Sequence, residues 1–270
     1  LSPNLTSISL SQNSFCFIFA ALSTMKILLK IYSVYGLVIF ALVFIVLLPF
    51  FLLAIFVKPL EKTAGFLNHV WARMLFFFLF LNRSKIVYEE KLSRKQRYIF
   101  CANHFSFLDI PTMGLINHNY KFIGKSSLRK IPLWGYMYSK LHILVDRNSL
   151  RDKHASWIKC KEAVANGYSI AFFPEGGIAS KNPPELARFK EGSFKIAVEE
   201  QIPVVPVTIH NNHLLLPDKK PLIMHRGTIS LKVHKPIWPN GTDDLAIHEL
   251  KDKVRSVIEE ELKLTHHAGR

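Results

Sequence analysis

Tyr98-Ile99-Phe100-Cys101-Ala102-Asn103-His104-Phe105-Ser106-Phe107-Leu108-Asp109 is an apolar run that breaks abruptly into polar residues. The first five residues predict a short buried strand, and Asn103–Asp109 predicts a turn feeding a helix. The five-residue offset between His104 and Asp109 is not the i,i+4 spacing that aligns two side chains on one helix face. It puts His104 in the turn and Asp109 in the first helical turn, where the imidazole can fold back over the carboxylate. A histidine begins near neutral pKa and suits proton transfer. A carboxylate on one ring nitrogen fixes the tautomer and stabilises the imidazolium. The spacing by itself leaves open an incidental histidine beside a capping aspartate.

Outward from this stretch the same texture repeats. Lys85–Tyr88, Tyr98–Ala102, Lys121–Ile123, His142–Val145, Ser169–Phe173, Val204–Ile209 and Thr228–His234 all read as strands. Between them, Ser149–Asn166 reads as a helix closed by Gly167, a favoured residue just past a helix end. Gly192–Gln201 reads as another, stopped before Pro203. Ile247, Leu250, Val254, Val257 and Ile258 keep helical spacing, with Thr242 as the expected N-cap. Strands alternating with amphipathic helices predict an α/β domain built on a sheet with flanking helices.

The first third of the chain differs. Ile31–Val57 holds no charged residue and is bracketed by Lys30 and Lys58, long enough for a bilayer span of about 20 residues. Pro49 lies inside it and is expected to kink or end the helix. A shorter apolar run, Met74–Leu81, continues a pattern begun at Phe66, and Lys58–Lys62 reads as a hairpin connection. Either both helices enter and leave one leaflet, or one spans while the other lies in the interface; a buried soluble helix is the remaining alternative. Met25-Lys26 has the form of an initiator before the apolar run, so residues 1–24 read as an upstream extension. A signal peptide is the rival reading, but no cationic stretch precedes Phe15–Leu22. The expected organisation is therefore 1–24 extension, 25–82 membrane-anchoring helices and 83–270 an α/β domain.

Over 270 residues, 35 Lys and Arg against 20 Asp and Glu give a formal charge of +15, combined with a mean hydropathy of +0.17. An apolar end joined to a basic body suits an anionic membrane surface, where each nearby cation adds about 1 kcal/mol. Nucleic acid is not an expected partner, because no zinc finger, RNP-like motif or isolated basic helix accompanies the charge. Cys16, Cys101 and Cys160 are odd in number and far apart, giving neither a disulfide framework nor metal-ligand spacing. They suit a reducing environment. His210 and His213 lack a third-ligand pattern, so no metal is expected.

Three further segments carry chemistry. Gly124-Lys125-Ser126-Ser127-Leu128 leads through Pro132 and Gly135 to Val145-Asp146-Arg147. Phe173-Pro174-Glu175-Gly176 comes next and Ile202-Pro203-Val204-Val205-Pro206-Val207 last, with Arg188-Phe189-Lys190-Glu191-Gly192 lying between those two. Together with Asn103-His104-x-Ser106-x-x-Asp109, these ordered blocks resemble the glycerolipid acyltransferase family, which includes the 1-acylglycerol-3-phosphate acyltransferases. The resemblance covers about Asn103 to Val207, with the hydrophobic segment in its expected place before them.

The resemblance implies a fold, a glycerolipid-acyltransferase-like mixed sheet with flanking helices, and a reaction. His104 would be the general base on an acceptor hydroxyl and Asp109 its orienting partner. The acceptor oxygen would attack the thioester of acyl-CoA or acyl-carrier protein, a co-substrate, so that no resident cofactor is expected. Lysophosphatidate would be the acceptor and phosphatidate the product. Cys101 would not be a nucleophile; a small buried strand residue is its reading. Arg147 would bind the acceptor phosphate. Glu175 and Gly176 would line the acceptor pocket, and Lys125 with Arg129 would form a basic edge that meets either the acceptor phosphate or the membrane. The expected location is the cytoplasmic face of an inner membrane. One departure bears on the acceptor: the family's third block continues Glu-Gly-Thr-Arg, whereas Glu175-Gly176-Gly177-Ile178 lacks the cation. That leaves another lysophospholipid or a lyso-aminoacid lipid as the alternative acceptor, and a non-catalytic lipid-binding protein as the alternative class.

Overall fold

A computed structural model describes residues 12–80 and 84–268. Seven strands form one sheet: β1 (Ser84–Tyr88), β2 (Ile99–Ala102), β3 (Tyr120–Lys125), β4 (Ile143–Val145), β5 (Ser169–Phe172), β6 (Val204–Ile209) and β7 (Ile229–Val233). These are the seven expected from the sequence, with ends differing by at most two residues. Their order is β1-β7-β6-β2-β5-β3-β4. Every neighbouring pair is parallel except β6 and β7, which run antiparallel, so the sheet is mixed. β2 and β6 lie at its middle and are buried throughout, as parallel strands covered on both faces must be.

The helices are α1 (Gln12–Phe56), α2 (Ala64–Phe80), α3 (Asp109–Met113), α4 (Trp134–Leu141), α5 (Leu150–Ala165), α6 (Gly192–Glu199), α7 (Asn212–Leu215) and α8 (Asp244–Ala268). One face of the sheet offers Phe100, Ala102, Tyr120, Phe122, Val205 and Val207 to a core shared with α1, α2 and α4. The other offers Ile99, Cys101, Ile170 and Val204 to α5, α6 and α8. Alternate residues of one strand thus serve opposite cores, as the two-residue strand period requires.

Local chemistry fixes the helix ends. Ser149 Oγ accepts from the Asp152 N–H at 3.1 Å and caps α5, which closes at Gly167 with φ +87°. At α8 the expected cap shifts by one residue: Asp243 Oδ1 accepts from the Ala246 N–H at 2.9 Å, in place of Thr242. Aspartate adds its charge to the helix N-terminus, and the adjacent threonine stays outside the first turn.

α1 and α2 form the expected hairpin, joined by a 3-10 turn over Lys58–Thr63. Pro49 leaves the Ile45 carbonyl without its helical donor, yet α1 continues to Phe56. Tyr32 and Tyr35 on α1 donate their hydroxyls to the Leu79 and Phe78 carbonyls at the far end of α2. Phe44, Leu47, Phe51 and Ala54 bury one stripe of α1, while Leu37, Ile45, Val46, Phe50 and Leu53 leave the opposite stripe exposed. Among the described residues, Ser23–Phe56 is the one helix long and apolar enough to cross a membrane. Of the segment read as an extension, residues 1–11 lie outside the described residues and 12–24 are continuous with α1.

Candidate active site

Because β2, β3, β4, β5 and β6 run in the same direction, their C-terminal ends share one edge. Open sheets of this kind bind ligands there, and the sequence blocks deliver their polar residues to it. His104 and Asp109 follow β2, Glu175 and Gly176 follow β5, Lys125 ends β3, and Arg147 follows β4.

The turn after β2 is tightly specified. Asn103 donates its amide to the Ile209 carbonyl at 2.9 Å and accepts from the Ile209 N–H at 2.7 Å, pinning the end of β2 to the end of β6. His104 Nδ1 lies 3.0 Å from Asp109 Oδ2. The same oxygen accepts from the Phe105 and Ser106 N–H groups at 2.7 and 2.8 Å, so the carboxylate closes the turn and orients the imidazole at once. Asp109 and His104 are both buried, Asp109 completely. Asp109 collects donors characteristic of an ionised carboxylate. With Asp109 as acceptor, the imidazole proton sits on Nδ1 and Nε2 keeps its lone pair. The Phe173 ring stacks on the imidazole at 4.0 Å between centroids and 18° between planes, fixing the other degree of freedom.

Sequence reading missed a further member. Asn212 donates Nδ2 both to Asp109 Oδ1 and to Thr112 Oγ1, each at 2.9 Å. It stands 103 residues beyond Asp109, and no spacing rule connects them. Asn211 at φ +48° turns the chain sharply enough after β6 to aim Asn212 inward; an asparagine at such a position is the only signal that a sequence offers.

Glu175, expected to line the acceptor pocket, is held by backbone groups of the protein. Its carboxylate is buried, with Oε1 accepting from the His104 N–H at 2.7 Å and Oε2 from the Ala187 N–H at 2.9 Å. It ties the β5 turn to the turn after β2 and to the chain leading into α6. Burial pushes its pKa up to about 7 against the pull of those two amides.

Gly176 and Arg147 do line a cavity, about 400 Å³ in volume, set between the sheet edge and α5 and α6. Phe172, Phe173, Trp157 and Ile196 make its walls apolar, and Arg147, Lys153 and Lys190 supply charge, with no carboxylate among the lining residues. The Arg147 guanidinium donates to the Gly176 carbonyl, and burial holds it below its ordinary pKa. Gly176 has φ +81°, and a Cβ there would meet the Lys190 ammonium, so only glycine lets the lysine lie across the turn. Lys125 is exposed at the end of β3 and stands outside this lining. Cys101 is fully buried with its thiol pushed up to about 12 by that burial, which rules against a nucleophilic thiolate. His210 pairs with Glu261 at 3.3 Å, and no cluster of metal-ligating side chains occurs among the described residues.

Comparison with known proteins places this architecture. A family model described as Acyltransferase matches residues 83–210. The chain is 32% identical over 230 residues to a chloroplastic 1-acyl-sn-glycerol-3-phosphate acyltransferase of Brassica napus, covering 83% of this chain and 64% of that protein. It is 29% identical over 233 residues to a 1-acyl-sn-glycerol-3-phosphate acyltransferase of Chlamydomonas reinhardtii, covering 83% and 69%. The chain thus spans about two thirds of the length of these relatives. The fold matches the crystal structure of the 1-acyl-sn-glycerophosphate acyltransferase of Thermotoga maritima with a TM-score of 0.69 at 24% identity, over 88% of this chain and 98% of that one.

Proposed function

The chain belongs to the glycerolipid acyltransferase family, and on that premise we propose that it transfers a fatty acyl group from a thioester donor to the hydroxyl of lysophosphatidate, giving phosphatidate. The observation that carries this reading is the 3.0 Å contact between His104 Nδ1 and Asp109 Oδ2 inside a turn that holds the carboxylate with two backbone amides. Asp109 accepts the Nδ1 proton in a hydrogen bond, leaving Nε2 to take the proton from the acceptor hydroxyl. The oxygen attacks the thioester carbonyl, the carbon–sulfur bond breaks, and the imidazolium returns its proton to the departing thiolate. A carboxylate beside the imidazolium lowers the cost of the charge as it forms. The donor is acyl-CoA or acyl-carrier protein.

Recognition of the acceptor falls to the cationic cavity. Arg147 offers a planar fork to a phosphate, and Lys190 lies across Gly176 beside it. These two supply the charge that position 178, an isoleucine, does not. That substitution is the one observation favouring a second acceptor, a lysophospholipid with a larger headgroup or a lyso-aminoacid lipid. The exposed apolar stripe of α1 supports anchoring of the hairpin in a membrane, with the basic domain held against anionic lipid on the cytoplasmic side, where unpaired buried cysteines are at home. Purified protein incubated with labelled acyl-CoA or labelled acyl-carrier protein and a panel of lyso-lipids tests the reading. Labelled phosphatidate is expected; product from another lyso-lipid alone would overturn the choice of acceptor, and no acylated lipid from any donor would overturn the activity.

A further inference from the structure

The segment joining β3 to α4 has a feature that acyl transfer does not require. Ile131, Pro132 and Leu133 are consecutive and all exposed, with Ile131 at 46% and Leu133 at 59%, and Tyr136 a turn later at 44%. Leu133 also sits at φ +59°, a conformation that L-residues with bulky side chains rarely adopt. An apolar tip presented to water at a backbone cost calls for something that covers it.

The tip is held rigidly. Trp134 packs on Phe40 and Phe44 of α1 and on Trp71 of α2, with ring centroids 5.0 to 5.4 Å apart. Gly135 donates its N–H to the Ile131 carbonyl at 2.7 Å, and a Cβ there would come within 2.4 Å of the Arg129 carbonyl, so the loop lies flat on the start of α4. Three residues from Phe40 on α1, Leu37 is 69% exposed. The tip therefore lies beside the hairpin that the membrane reading already places in lipid. Arg129, Lys130 and Lys140 flank the tip and are exposed.

We propose that Ile131-Pro132-Leu133 is a second membrane-inserting element, which dips into the leaflet beside the α1–α2 hairpin while its flanking cations meet anionic headgroups. The apolar tip between cations is the chemistry of an interfacial anchor. The loop leaves β3 at the same sheet edge that carries His104 and Arg147, so its insertion holds that edge against the leaflet from which a lyso-lipid must come. The proposal rests on the membrane reading of the hairpin, and its test separates the two.

A single cysteine at Leu133, in the full chain with Cys16→Ser, is labelled with an environment-sensitive fluorophore; Cys101 and Cys160 are buried. Parallel labels go at Ile131, should Leu133→Cys fail to fold, at Leu37 as the hairpin reporter, and at Leu245 on α8, exposed behind the opposite sheet face. The proteins are reconstituted in vesicles of phosphatidylcholine and phosphatidylglycerol, with and without nitroxide on the acyl chains. Blue-shifted emission that lipid nitroxide largely quenches is expected at 37, 131 and 133, and neither effect at 245. If 37 is quenched while 131 and 133 behave like 245, the loop proposal falls and the hairpin reading stands. If all positions emit as in water, both fall. Shielding at 133 without quenching would assign the tip to a protein contact, such as a second copy of the chain, and overturn insertion.

Discussion

The turn that holds His104 and Asp109 and the cationic cavity lie side by side at one sheet edge, yet they are built on opposite principles. In the turn, Asp109 accepts from two backbone amides, the His104 ring and Asn212, and both oxygens of Glu175 are occupied. In the cavity, Arg147, Lys153 and Lys190 line apolar walls with no carboxylate among the lining residues. A group that must hold one geometry through a reaction is satisfied within the protein beforehand. On the proposed reading the cations of the cavity await an anion, and their mutual repulsion would be relieved when it arrives. The contrast separates residues expected to act on kcat from those expected to act on KM.

The sharpest way to break that contrast is Asp109→Asn, which keeps the shape of the turn but reverses a hydrogen-bond partner and favours the wrong imidazole tautomer. A loss of kcat of about 10⁴-fold is expected by analogy with triad enzymes, with the KM for lysophosphatidate little changed. Steady-state kinetics that instead moved KM alone would assign Asp109 to binding.

Glu175→Gln probes the latch beneath the turn through stability. The folded-state pKa of Glu175 is about 7, above its ordinary value of 4.5, so folding takes up a proton between those pH values. The parent therefore loses stability as pH rises from about 4.5 through 7, by up to roughly 3 kcal/mol at 1.36 kcal/mol per pKa unit. The glutamine variant does not titrate, so the parent's advantage over it should shrink with rising pH in thermal melts. An unchanging gap would mean that the carboxyl ionises normally.

Arg147→Ala should raise the acceptor KM about 10- to 100-fold, the worth of a charge-assisted hydrogen bond, with kcat changed by only a few-fold. The effect should vanish for an acceptor lacking the phosphate. Smallest is Asn212→Ala, expected to lower kcat about tenfold through one lost bond to Asp109. Asn212→Asp adds a negative charge beside Asp109 and should raise the pH at which the acidic limb of kcat falls away. A variant that lost activity with the limb unmoved would mark Asn212 as structural only.

The sheet was legible because its central strands are buried on both faces and read as short apolar runs between helices of regular period. His104 and Asp109 were legible because five residues in one turn suffice to bring them together. The two backbone partners of Glu175 were not, since a carboxylate facing two backbone amides looks in sequence like one facing a substrate. Asn212 was hidden for the same reason at longer range: its partner is fixed by the pairing of β2 with β6 through Asn103 and Ile209. Thr242 and Asp243 are adjacent cap formers, and only the geometry of the first α8 turn chooses between them.

The central claim, that His104 Nε2 removes the acceptor proton, is tested most directly by His104→Ala in purified, folded protein supplied with labelled acyl-CoA and lysophosphatidate. Near-complete loss of labelled phosphatidate, with the melting temperature and acceptor binding retained, is the expected result. Transfer at the parent's rate would contradict it.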